Sequence, residues 1–92
     1  MSNHADRSKM ENERIIAVLY LHKKKTKIDI DIPLNITANE LIIGLNQGFV
    51  LGMDTRDLSQ CYLKTENPIA FLKGNKTLAE YELRNGTVIN FI

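Results

Sequence analysis

Cys61 is the single thiol of the 92-residue chain. A thiolate can act as a redox centre or a thioester nucleophile when a base or a positive field activates it. No motif residues flank Cys61, so the expected role is that of a small buried hydrophobe. One cysteine also leaves no intrachain disulfide and no zinc site built on several thiolates. His4 and His22 stand too far from other ligand types to make a metal site. Both are expected to be solvated, His4 in a polar stretch and His22 at a strand end. No Ser/His/Asp grouping and no glycine-rich phosphate cradle is present. The chain is therefore read as having no catalytic, cofactor-binding or metal-binding residues.

Lys23, Lys24, Lys25 and Lys27 form the one charge cluster. Projecting together from a hairpin tip, they would suit an acidic protein partner and speed association at low salt. The plainer alternative is a solvated loop that guards a sheet edge. Twelve basic against eleven acidic side chains leave a net charge of +1, which speaks against a nucleic-acid binder. Hydrophobic residues at 43% and charged residues at 25% are ordinary for a soluble domain of one core. No apolar run approaches the length of a membrane span, and MSNHADRSKMENER lacks the apolar centre of a signal peptide. A reducing, cytoplasmic setting fits the lone cysteine.

The elements that position these residues follow from periodicity. Residues 1–14 are polar without a period and are expected to form a flexible tail before a domain over 15–92. Ile15 to Leu21 is an unbroken apolar run, so a buried strand is expected while both of its faces remain candidates for the core. Ile28, Ile30 and Ile32 alternate with Asp29 and Asp31, the two-residue period of a half-buried strand that Pro33 ends. Thr37 and Glu40 fit a capping box, and Ala38, Leu41, Ile42, Leu45 and Phe49 recur at helical spacing. Short strands are expected at Cys61–Thr65 and Ile69–Leu72, with Phe71 or Leu72 turned inward. A single helical turn is expected at Thr77–Tyr81. Asn85-Gly86 marks a tight turn before a closing strand, Thr87–Ile92. The order β-β-α-β-β-(short helix)-β is that of a two-layer α+β domain with a mixed sheet of about five strands.

This order resembles the ubiquitin-like β-grasp fold. The segment KTLAEYELRNGTVINFI resembles ubiquitin's Thr-Leu, acidic residue, Tyr, apolar residue, tight turn and final strand. In that likeness Leu78 and Tyr81 pin the turn, Leu83 caps it, and Ile89 and Phe91 face inward. Val88, Asn90 and Ile92 then face outward. Within the superfamily the chain is most similar to the small bacterial YukD/EsaB group. The shared features are Ile30-Asp31-Ile32-Pro33, Leu41 to Leu45, Leu78-Ala79-Glu80-Tyr81, Asn85-Gly86-Thr87 and a strand at which the chain stops.

The resemblance implies a cytoplasmic, non-enzymatic accessory or regulatory protein of a Gram-positive type VII (ESX-type) secretion system. It would bind protein partners reversibly, among them a membrane-anchored component of the machine, as a monomer or weak homo-oligomer. Ubiquitin-like domains commonly use the sheet face opposite the helix. The candidate contact residues there are Tyr62, Lys64, Val88 and Ile92, beside the lysines of the hairpin tip. Two other readings stay open. Modifiers and sulfur carriers act through a C-terminal Gly-Gly, which does not precede Ile92 here, so that reading requires a chain cut short of its tail. Related domains also occur fused to larger membrane transporters.

Overall fold

A computed structural model describes residues 13–92. The expected tail lies outside them except for its last two residues, and Arg14 already opens the first strand. His4 also lies outside the described residues.

Strand β1 runs over Arg14–Leu21 and β2 over Thr26–Pro33, paired antiparallel from Arg14↔Pro33 to Leu21↔Thr26. The apolar run resolves its two faces. Ile15, Ala17, Leu19 and Leu21 are buried, whereas Val18 and Tyr20 are half-buried on the other side. The connection is a 3-10 turn, His22–Lys24, closed by Lys25 at φ 50° with its N–H donating to the His22 carbonyl. A left-handed residue reverses the chain here without the Asn-Gly that a two-residue turn needs.

Helix α1 spans Ala38–Phe49. Thr37 Oγ1 accepts the Glu40 N–H (3.1 Å) and Glu40 Oε1 accepts the Thr37 N–H (2.9 Å), so the capping box forms in both directions. Ala38, Leu41, Ile42 and Leu45 are buried against the sheet, and Phe49 is half-buried. Val50, left-handed, ends the helix with its N–H on the Asn46 carbonyl.

Leu58–Gln60 forms a second 3-10 turn, and Asp57 caps it by accepting the Ser59 N–H. This turn displaces the next strand from its expected place. Cys61 donates its N–H to the Leu58 carbonyl (3.0 Å), closing the turn, so β3 runs over Leu63–Glu66 rather than Cys61–Thr65. Strand β4 is Ala70–Leu72 and β5 is Val88–Phe91. Leu72 packs into the core while Phe71 faces outward. Between β4 and β5, Thr77 and Glu80 repeat the reciprocal cap over one helical turn, with Tyr81 N–H on the Thr77 carbonyl. Leu78 and Leu83 are buried and Tyr81 half-buried beside them.

The sheet order is β2-β1-β5-β3-β4. β5 runs parallel to β1 from Val18↔Val88 to Leu21↔Phe91 and antiparallel to β3. The closing strand thus sits at the centre, and the helix covers one face. Leu19, Ile42, Leu63, Leu72, Leu78 and Ile89 are fully buried between the two layers.

Candidate functional site

The face of the sheet opposite α1 gathers the even positions of β1, β3 and β5, because successive side chains alternate across a strand. Lys64, on β3, stands between Phe71 of β4 and Asn90 of β5 on this face. Its Nζ lies 5.6 Å from the centre of the Phe71 ring. Tyr62 meets Phe71 edge-on at 5.1 Å, and the two rings are 49% and 59% exposed. Ile69 is 90% and Ile92 69% exposed on the same side. A groove of about 480 Å³ runs past Lys64, Glu66, Ile69, Phe71 and Asn90. Apolar side chains with one basic group among them can take an apolar side chain of a partner and pair with a neighbouring carboxylate.

A polar bridge crosses this face. His22 donates from Nε2 to Asn90 Oδ1 (2.7 Å), and Asn90 Nδ2 donates to Glu66 Oε2 (3.0 Å). Asn90 is buried on the side away from the hydrophobic core, and these two bonds satisfy its amide. His22 also stacks on Tyr20, with ring centres 3.8 Å apart. It is therefore half-buried and structural, not solvated as its place at a strand end suggests. The residues of the bridge lie far apart in the sequence, so no local pattern reports them. The one available signal is a polar Asn90 within the otherwise apolar TVINFI.

The structure brings Tyr62, Lys64 and Ile92 together as an exposed group beside a second groove. Val88 shares their face but is only half-buried there, between Val18 and Glu66 on the neighbouring strands. Phe71 and Ile69 are the more exposed apolar side chains of this side. The lysine cluster divides as well. Lys23, Lys24 and Lys25 occupy the turn, all exposed, whereas Lys27 sits on β2 with its Nζ 5.0 Å from the Tyr20 ring. The strand pleat sends Lys27 to the sheet face and leaves the other three at the tip.

Cys61 is buried, and its thiol donates to the Asp54 carbonyl at 3.3 Å. Among the described residues no three His, Cys, Asp or Glu side chains come together as a metal site. The perturbed carboxylates lie away from the face. Arg56 beside Asp54 holds that carboxyl below its ordinary value, and the Thr77 N–H and hydroxyl do the same for Glu80. Both belong to local turns.

The model of the family described as WXG100 protein secretion system (Wss), protein YukD, matches residues 15–90. The chain belongs to the YukD family. The fold is ubiquitin-like, as two solved structures attest. The C-terminal ubiquitin-like domain of mouse tubulin-specific chaperone e superposes with a TM-score of 0.65 at 13% identity, covering 88% of this chain and 89% of that one. A protein designed on the basis of ubiquitin gives a TM-score of 0.59 at 17% identity, with 84% of each chain covered. A comparison with curated proteins finds no match. The YukD match ties the chain to a secretion system, and among the described residues no helix is long and apolar enough to cross a membrane.

Proposed function

We propose that this protein is an accessory or regulatory component of a type VII (WXG100) secretion system, acting in the cytoplasm by reversible protein binding rather than catalysis. Its partner is a membrane-anchored component of the machine. The observation that carries the reading is the YukD family match over nearly the whole described domain. The outer sheet face supports it with a means of binding. Tyr62, Ile69, Phe71 and Ile92 offer apolar area, and Lys64 offers a charge at their centre. A partner surface with an apolar anchor next to a carboxylate fits this arrangement. Lys23, Lys24 and Lys25, exposed at the hairpin tip, would hasten the encounter with an acidic partner.

The test is capture of binding proteins from the native host with the tagged protein, washed first under native and then under denaturing conditions. Secretion-machine components released in the native wash are the expected result. The double variant Phe71→Glu, Ile92→Glu should lose them. Both side chains are largely exposed, so its thermal stability should stay within about 0.5 kcal/mol of the parent. Adducts that survive denaturation would overturn reversible binding in favour of covalent modification. Undiminished capture by the double variant would move the contact off this face.

A further inference from the structure

The two strands at the rims of the sheet differ. β4 is three residues long, whereas β2 runs for eight, and among the described residues no strand pairs with its outer edge. A long open edge is a template for another strand, and proteins commonly blunt it with charged side chains, proline or a bulge. β2 has no bulge, and its proline, Pro33, comes only at its end; its outward side chains are charged but not of one sign. They are instead split by sign, basic Lys27 at one end and acidic Asp29 and Asp31 toward the other. On the helix side Ile28 and Ile30 are only half-buried, unlike Ile32. Asp29 makes no ion pair among the described residues, while Asp31 is held by Arg14 at 2.9 Å.

We propose that β2 pairs antiparallel with β2 of a second copy of this chain, with the two-fold axis at Ile28, to give one continuous sheet across a homodimer. The charges select this register. With the axis at Ile28, Lys27 faces Asp29 of the second copy and Asp29 faces its Lys27. Ile28 meets Ile28 on the helix side, and Thr26 faces Ile30 there. An axis at Lys27 or Asp29 sets that residue against itself. An axis at Ile30 opposes Asp29 to Asp31, and one at Thr26 opposes Lys25 to Lys27. A shift to odd spacing turns isoleucines against charges, since neighbouring side chains lie on opposite faces. Axes beyond Asp31 meet Pro33, which has no N–H to donate. The interface is isologous, as a two-fold dimer requires. Opposite charges directly across a ladder attract and like charges repel, so the pattern stabilises one pairing and disfavours its neighbours.

The experiment compares self-association of the full chain with that of two variants by analytical ultracentrifugation over a concentration series. Lys27→Asp makes the edge uniformly acidic, and Asp29→Lys makes its centre uniformly basic. Each variant alone should associate about tenfold or more weakly than the parent, because both cross-strand pairs become repulsive. Mixed in equal amounts, the two should form a heterodimer that neither forms alone, and that dimer should weaken as salt rises. The rescue also shows that both variants are folded. A parent protein that stays monomeric up to about 1 mM overturns the proposal. So do single variants that associate like the parent, or a mixture that stays monomeric when the parent does not. β2 lies at the opposite edge of the sheet from β4, so loss of the dimer and loss of capture through Phe71 are separable results.

Discussion

Ile89 and Asn90 are neighbours on β5, and both are buried, for opposite reasons. Ile89 points to α1 and has no exposed surface, packed into a layer of Leu19, Ile42, Leu63 and Leu78. Asn90 points to the other face and is covered by polar neighbours, His22 and Glu66, which bond its amide on both sides. The inner face is close-packed and non-directional, so its energy comes from apolar area removed from water. The outer face is held by directed bonds at its middle and leaves rings and isoleucines exposed at its margin. One face supplies stability. The other leaves apolar area exposed at its rim, where substitutions should cost the fold little.

The contrast can be broken at two points, one on each face, and a third effect lies outside both. The largest effect belongs to the inner face. Ile42→Ala should cost about 2–5 kcal/mol, since it deletes fully buried methylenes and leaves a cavity between helix and sheet. Chemical denaturation measures it, and a loss below 1 kcal/mol would mean that α1 is not clamped as described. Next comes the middle of the outer face. Asn90→Ala should cost about 1–2 kcal/mol by leaving His22 and Glu66 without their partner. A thermal melt checks it, and the imidazole ring should lose its stack on Tyr20, seen as a shift in its NMR signals.

The smallest effect lies in the turn before β5. Glu80 is held below its ordinary carboxylate range by the Thr77 N–H and hydroxyl, bonds the unfolded chain lacks. A group whose folded pKa is lowered stabilises the fold above its unfolded pKa and loses that contribution as the pH falls through the folded value. The melting temperature should therefore fall on acidification below about pH 4.5. Glu80→Gln should show a smaller acid-dependent fall than the parent. Equal slopes for the two proteins would remove Glu80 from the acid response.

Much of this molecule is written in local spacing. The Thr37–Glu40 cap, the Ile28-Ile30-Ile32 alternation and the turn at Asn85-Gly86 each depend on residues within a few positions of one another. Such patterns survive in any sequence-level reading, because period and capping are short-range physics. Tyr62, Lys64 and Ile92 were legible as outward residues for the same reason. The misplaced strand start at Cys61 shows the limit. A 3-10 turn competes for the same N–H as the ladder, and only the surrounding packing of Leu58 and Cys61 decides the winner.

The sequence by itself determined the elements, their order and their amphipathic faces, since each rests on contacts between near neighbours in the chain. It also determined that the charges of β2 share one face, with Lys27 at one end and Asp29 and Asp31 toward the other, because their spacing is fixed by the backbone repeat. Only the tertiary structure decided which strand lies at the centre, that β2 is an open edge, and that His22, Glu66 and Asn90 meet. Those facts depend on strands distant in the chain coming to lie side by side. Pairing between distant strands follows from packing the whole core at once, which no window of neighbouring residues contains.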